Sequence, residues 1–419
     1  MAGLKIPKHK HMSLKQLNTY LEPDKIYIPL ISGGDTDLEV YFNIGDTVKK
    51  GDVLARRKTS FKTPIFSSVS GKIIGEEEVS YQTGVKVNAL VIENDKKETA
   101  KNIKVRKDID KLTKEEYINI VNECGIVGMG GAGFPTNLKY KTDTKINTLL
   151  VNAVECEPYI TADYTLLKEK CEDVLETIDY ILTINDINEA IIAIKENNVD
   201  LIKHVLKYKE SYLKIRVVEV PNKYPMGWER TLIKEILKVE YDKLPLEKGI
   251  VVNNVSTIYG ISQALKFNKP IIERIVTFTG EGIKEPQNVL VKVGTKVDEV
   301  IEYLGGTKKN VFVVAGGPMM GHKVETDLVV TPELNCVLVL PKIKTMKEVG
   351  CLRCGRCVKY CPASLTPVLI KDAIKDRDKL VLLHPEKCIS CGLCSYVCPS
   401  KIDVREQVNK AKEVLKGGK

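Results

Sequence analysis

The chain has 419 residues, of which 43% are hydrophobic and 28% charged, and its formal net charge is +9. That composition excludes wholesale disorder, collagen and coiled coil, and scattered lysines with only 6% aromatics do not point to nucleic acid. No apolar run approaches the ~20 residues of a membrane-spanning helix, and the opening Met-Ala-Gly-Leu-Lys-Ile-Pro lacks an apolar secretory region, so a cytoplasmic protein is expected.

Residues 23–95 carry Val40, Val48, Val53, Leu54, Ile65, Val69, Ile73 and Ile74 in short segments punctuated by Gly45-Asp46, Gly51-Asp52 and Ser70-Gly71. This pattern predicts an all-β barrel or sandwich. The segments GDTVKKGDVL and SSVSGKI resemble a lipoyl/biotinyl barrel, but Lys58 and Lys62 lack a carrier tip sequence, so a packing role is expected. Residues 96–111 read as a charged linker. Thr113 with Glu116 forms a capping box, and Ile118, Val121 and Cys124 follow at helical spacing. Residues 147–154 (NTLLVNAV) read as a buried strand, and Leu166 to Ile178 as one helical stripe. Strands are expected over 189–195, 214–220 and 249–253, with helices between 195 and 214 and over 228–239 and 256–267. Such alternation predicts an α/β domain with a largely parallel sheet. Residues 271–322 return to small β segments (IVTFTG, NVLVKVGT, VFVVAGG), and a lysine-rich helical tail begins at Arg405. The whole is a multidomain α/β and α+β chain, with divisions expected at 1–110, 111–268, 269–340 and 341–419.

Eight of the 12 cysteines crowd into the last 70 residues. They form two runs, Cys351-x₂-Cys354-x₂-Cys357-x₃-Cys361-Pro and Cys388-x₂-Cys391-x₂-Cys394-x₃-Cys398-Pro, the spacing of bacterial two-cluster ferredoxins. Three thiolates at every third position wrap three corners of a [4Fe–4S] cube, and the fourth reaches the other cube. The expected ligand sets are therefore Cys351, Cys354, Cys357 with Cys398, and Cys388, Cys391, Cys394 with Cys361. Structural zinc is the rival reading; it wants one tetrahedron of four ligands and fits this spacing poorly.

The loop Gly128-Met-Gly130-Gly131-Ala-Gly133-Phe134 contains G-x-G-x-x-G, but it follows a helix, which excludes a Rossmann site. Its four glycines still let backbone amides approach an anion or a ring without a Cβ in the way. Asn152 to Pro158 lies at the end of a predicted strand, where α/β sheets place ligands; Lys223 to Glu229 and Val252 to Val255 also lie at element ends. Together these clusters suggest one composite site. His9, His11, His204, His322 and His384 form no catalytic or metal motif, so no general acid or nucleophile is expected.

The stretches GMGGAGFPT, NAVECEPYITAD, KYPMGWE, VNNV and AGGPMMG resemble the C subunit of the Rnf electron-transport complex and, more distantly, the flavin-bearing subunit of respiratory complex I. The resemblance covers nearly the whole chain. It implies an N-terminal barrel-sandwich, an FMN- and NADH-binding α/β domain, a soluble-ligand-binding β-grasp module and a dicluster ferredoxin domain. It further implies that Gly128, Gly130, Gly131, Gly133, Phe134 and Lys139 hold FMN and the pyridine nucleotide. By the same resemblance Asn152, Glu155 and Glu157 line the pocket, Tyr224, Gly227 and Glu229 close it, and Asn253 and Asn254 meet the flavin's polar edge or phosphate. Cys156 reads as a small buried hydrophobe. The chain departs from the family at Ile31-Ser-Gly-Gly-Asp35-Thr, at its opening residues and at Trp228.

The expected cofactors, two [4Fe–4S] clusters, FMN and NAD(H), divide the work. A hydride carries two electrons and a cube one, and FMN is the junction between them. The expected protein is a peripheral part of an oxidoreductase complex, on the cytoplasmic side of the cell membrane. Its expected partners are membrane subunits, ferredoxin or a neighbouring ferredoxin-like protein, and NADH. The alternatives are a soluble relative that feeds a dedicated reductase, and a flavin-free iron–sulfur relay.

Overall fold

The computed structural model describes residues 3–58, 61–101, 104–131, 133–342 and 346–417. Ala132, inside the glycine loop, lies outside the described residues.

Thr113 accepts the amide of Glu116 and the Glu116 carboxylate accepts the amide of Thr113, so the expected capping box opens the helix Lys114–Glu123. The sheet that follows has four parallel strands in the spatial order Ile215–Val220, Glu189–Lys195, Thr148–Asn152, Ile250–Asn254. Successive side chains of a strand face opposite ways, and here both faces are covered. Leu149, Val151, Ile192 and Ile194 enter the larger core, whereas Leu150, Ile191, Ala193 and Val252 enter a second core on the other side. Each fully buried Leu, Ile or Val side chain among them contributes about 1.5–3 kcal/mol. The stripe from Leu166 to Ile178 is two helices rather than one, Ala162–Glu169 and Cys171–Ile184. Lys170 leaves helical geometry between them, at φ −125° and ψ 31°, and periodicity alone does not register a break that keeps the apolar face in phase.

Ahead of this sheet, two small antiparallel sheets form the barrel-like sandwich. One contains Lys25–Pro29, Lys86–Asn94, Gly71–Ser80 and Thr47–Val48; the other contains Leu38–Val40, Val53–Arg57 and Pro64–Phe66. Ile26, Ile28, Leu54, Val69, Ile73 and Ile92 are its core. Lys58, the carrier candidate, is held by Asp37 at 2.9 Å.

A six-stranded mixed sheet follows, with Glu273–Thr279, Gln287–Lys292, Val311–Ala315 and Cys336–Pro341 among its strands. The short strand Asn18–Tyr20 joins it parallel to Gln287–Lys292, and a helix that the sequence pattern did not signal, Val297–Tyr303, packs into its core. The last region is helical, and the final helix Val404–Lys416 is capped by Asp403, whose side chain accepts the Glu406 amide. Among the described residues no helix is long and apolar enough to cross a membrane.

Candidate functional site

The order of the four parallel strands reverses between Thr148–Asn152 and Ile250–Asn254. The chain winds one way from the first of these and returns to its other side with the second. Clefts at the carboxyl ends of such a switch point are where α/β sheets take ligands. Asn152 and Asn254 end the two strands in register with each other. The Asn254 carboxamide oxygen accepts the Ser256 amide at 2.9 Å and so caps the helix Val255–Phe267. Its nitrogen donates to Asp163 at 2.6 Å, and the Ser256 hydroxyl donates to the other oxygen of Asp163 at 2.6 Å. Burial pushes the Asp163 carboxyl above its ordinary value, against the pull of those two donors. The Asn253 nitrogen donates to the Tyr140 hydroxyl at 2.5 Å, while its buried oxygen has no partner.

The glycine loop lies against this edge. It is closed by Gly128 donating to the Phe134 carbonyl at 2.8 Å and Gly133 to the Gly128 carbonyl at 3.0 Å, and Met129 donates to the Thr257 hydroxyl at 2.9 Å. A Cβ on Gly130 would come 3.3 Å from Asn254. Gly133, at φ +61°, would bring a Cβ 3.0 Å from Glu333, whereas Gly131, at φ +107°, has open space there. Phe134 is exposed and meets Phe61 edge-on, with ring centroids 6.3 Å apart. Lys139 donates to the Val252 carbonyl at 2.6 Å; burial lowers its ammonium's pKa, and Glu229 is the charge that opposes this. Asn152 donates to the Gly227 carbonyl at 2.8 Å, and Glu229 accepts from Tyr241 at 2.8 Å.

Glu155 and Glu157 lie beyond the strand end and are both half-buried, the Glu155 side chain only 7% exposed. Glu155, at φ +41°, accepts from the Asp163 amide at 2.9 Å and from the Lys10 ammonium at 3.3 Å. Lys10 also donates to the carbonyls of Glu155 and Ile160. Glu157 accepts the amides of Met319 and Met320 at 3.1 and 2.9 Å. Burial pushes both carboxyls up to about 7, opposed by Lys10 at Glu155 and by the two amides at Glu157. Lys195, pushed down by burial to about 8, lines the same cavity as Lys10, Cys156, Glu157 and Tyr224. Cys156 is half-buried against Gly227. The Tyr224 hydroxyl donates at 2.7 Å to the carbonyl of Cys391, which ties this cavity to the cysteine-rich region.

There the chain forms two cavities. Cys361, Cys388, Cys391 and Cys394 line one; Cys351, Cys354, Cys357 and Cys398 line the other. Each takes three thiols from one run and the last thiol of the other. Backbone amides already point at sulfur: Arg353 at Cys351 (3.5 Å), Leu365 at Cys361 (3.4 Å) and Ser390 at Cys388 (3.3 Å). Among the described residues no three Cys, His, Asp or Glu groups converge to hold a single metal ion. A tetrahedral zinc needs four sulfurs ~2.3 Å from one point, and a cube spreads them around its corners, so this donor set suits the cube. At the sheet edge, the open space over Gly131, the unpartnered Asn253 oxygen and the half-buried Lys139 ammonium suit a planar, phosphate-bearing group.

Sequence reasoning did not find Lys10 or Lys195, because each reaches the site from a segment distant in the chain; Met319 and Met320 lie in the stretch AGGPMMG, which carries the resemblance without a role for their amides. Asp163 was within reach, since it closes the stretch NAVECEPYITAD.

The fold and the two kinds of site define a class: flavin-binding electron-transfer proteins that carry a ferredoxin-like cluster pair on the same chain. Residues 121–263 match the Nuo51 FMN-binding domain, 1–97 the RnfC barrel sandwich hybrid domain, 275–323 the SLBB domain and 350–402 the 4Fe-4S dicluster domain. The chain is 35% identical, over 86% of its length and 81% of the relative's, to the C subunit of the proton-translocating ferredoxin:NAD(+) oxidoreductase complex of Clostridium ljungdahlii. It is 32% identical to the Na(+)-translocating counterpart of Acetobacterium woodii, covering 84% of this chain and 81% of that one. The C subunit of the ion-translocating oxidoreductase complex of Vibrio cholerae is 32% identical over 86% of this chain, which spans 48% of that longer relative. The chain belongs to the RnfC family, the C subunits of ion-translocating oxidoreductase (Rnf) complexes. An NAD+-reducing [NiFe]-hydrogenase shares the fold, with a TM-score of 0.51 over 74% of this chain and 62% of that one at 16% identity.

Proposed function

We propose that the chain is the peripheral subunit that moves electrons between NAD(H) and two [4Fe–4S] clusters by way of FMN, within a membrane-bound, ion-translocating ferredoxin:NAD oxidoreductase. FMN, when bound, exchanges electron pairs with a nicotinamide and single electrons with iron–sulfur clusters. The observation that carries the reading is the contact between the two sites, where Tyr224 lines the cavity of Glu157 and Lys10 and donates to the carbonyl of Cys391.

In this reading the glycine loop, Lys139, Asn253 and Asn254 hold the flavin at the switch point, and Asn152 fixes Gly227 across it. Glu155 and Glu157 present carboxylates to the nucleotide's ribose hydroxyls, and Lys10 and the two methionine amides keep them oriented. Cys351, Cys354, Cys357 and Cys398 hold one cluster; Cys388, Cys391, Cys394 and Cys361 hold the other. The four domains are divided at 110, 268 and 340. The protein docks on membrane subunits from the cytoplasmic side.

The test is the visible spectrum of anaerobically purified protein before and after NADH, with iron and flavin assays. About eight irons and one FMN per chain, bleaching on NADH addition, are expected. Clusters without flavin, or clusters that NADH leaves unbleached, overturn the reading. Co-purification with membrane subunits, lost on dissociation of the complex, checks the docking.

A further inference from the structure

The two cysteine runs are an internal repeat, with Cys388 following Cys351 by 37 residues and the other cysteines at the same offset. Their backbones match. Arg353 and Ser390 have φ of 54° and 53°, Gly355 and Gly392 have 73° and 77°, and the short helices Arg356–Lys359 and Leu393–Tyr396 correspond. One run is therefore a control for what the other's surroundings do.

The surroundings differ. None of residues 388–393 is exposed, and Leu393 is wholly buried. A Cβ on Gly392 would come 2.6 Å from the Met319 carbonyl, and the Cys391 carbonyl is taken by Tyr224. Residues 351–356 are all exposed, with Leu352 67% exposed and nothing within 4 Å of a Cβ on Gly355. The second run has been covered by the rest of the molecule; the first faces outward. The substitutions between the repeats follow that division. Where the covered run has Ser390 and Leu393, the outward run has Arg353 and Arg356; Lys359 stands opposite Tyr396, which is itself exposed.

We propose that the outward face of the first run, residues 351–359, is the docking surface for an acidic one-electron iron–sulfur protein. The proposal rests on the reading that the cavities hold clusters. In the exchange one electron leaves the outer cluster and one iron centre of the partner gains it, or the reverse; no bond or proton moves. The charge is available for a partner. Arg356 and Lys359 have no carboxylate within ion-pair distance among the described residues, while Arg353 is held by Asp372, which Lys371 also meets at 2.9 Å. Glu348 is the other nearby acid in sequence. Exposed Leu352 and Val358 add apolar surface beside these cations in the same short segment, and transient interfaces steered by charge combine the two. An anionic lipid surface would also meet such charge, but it accepts no electron.

The test uses the intact, cluster-loaded protein, with a purified ferredoxin of strongly negative net charge as the probe. The R356E/K359E variant is compared with K203E/K207E, which makes the same charge change on the helix Val199–Tyr208 of the sheet domain. NADH-driven bleaching of the wild-type protein's own clusters is measured first, and its failure counts against the proposed function rather than against this surface. The expected result is at least a roughly tenfold slower transfer to ferredoxin for R356E/K359E at low salt, with the gap closing at about 0.5 M salt as screening removes steering. K203E/K207E stays within about twofold of wild type. Equal loss in both variants overturns the proposal. So does a loss that salt does not relieve, or one explained by a changed midpoint potential of the outer cluster. Release of R356E/K359E from anionic phosphatidylserine vesicles with ferredoxin transfer intact would assign the surface to the membrane instead.

Discussion

Replacing Lys10 by Met removes the cationic partner of a buried carboxylate. The two side chains are 14% and 7% exposed and 3.3 Å apart, so little water is at hand to replace the lost charge. Breaking such a pair from one side costs about 3–5 kcal/mol when the remaining charge stays ionised. Glu155 need not stay ionised, because burial already raises its pKa to about 7 from an ordinary 4.5. A carboxyl raised in the folded state binds its proton more tightly there than in the unfolded chain, so its ionisation subtracts stability as pH climbs from about 4.5 through 7. Without Lys10 the folded pKa rises further and the penalty extends to higher pH. At pH 6 the variant should lose only the two carbonyl hydrogen bonds of Lys10, about 1–2 kcal/mol. At pH 8.5 the loss should reach about 3–5 kcal/mol. Urea denaturation followed by far-UV circular dichroism at both pH values reads the difference. The double variant K10M/E155Q should show no such pH dependence and should recover much of the loss at pH 8.5. A K10M cost that is equal at the two pH values, or a double variant as weak as K10M at pH 8.5, would refute the reasoning.

Gly133→Ala places a Cβ at φ +61° and 3.0 Å from Glu333, so about 1–3 kcal/mol of local strain and a several-fold lower FMN content are expected, read by flavin fluorescence of the purified protein. Cys394→Ser takes one thiol from the covered cavity; iron should fall from about eight to about four atoms per chain, and an iron assay retaining all eight would count against the ligand set. Tyr224→Phe removes the 2.7 Å bond to the Cys391 carbonyl at a cost of about 1 kcal/mol, leaves iron content unchanged and slows NADH-driven cluster reduction in stopped flow; unchanged kinetics would deny that contact a part in coupling the sites.

Much of this protein is decided by local chemistry and is therefore legible along the chain. The eight clustered cysteines carry their chemistry in their spacing, because three thiols of each cavity lie on one short loop. The capping box at Thr113 and the buried strand around Leu149 are likewise properties of a few consecutive residues. The glycine loop could be separated from a Rossmann turn because a helix, not a strand, precedes it. Tertiary structure alone decided what lies across the fold. Strand order makes Asn152 and Asn254 neighbours, although 102 residues separate them in the chain. Lys10 reaches Glu155 across 145 positions, and no periodicity signals a buried ion pair formed at such range. The two cysteine runs have identical cysteine spacing, yet the fold covers one with Met319 and Tyr224 and leaves the other in solvent. Spacing grouped the thiols that the fold brings to a common cavity; only packing of the domains determines which cavity faces inward, because burial is a property of everything that surrounds a residue and not of the residue itself.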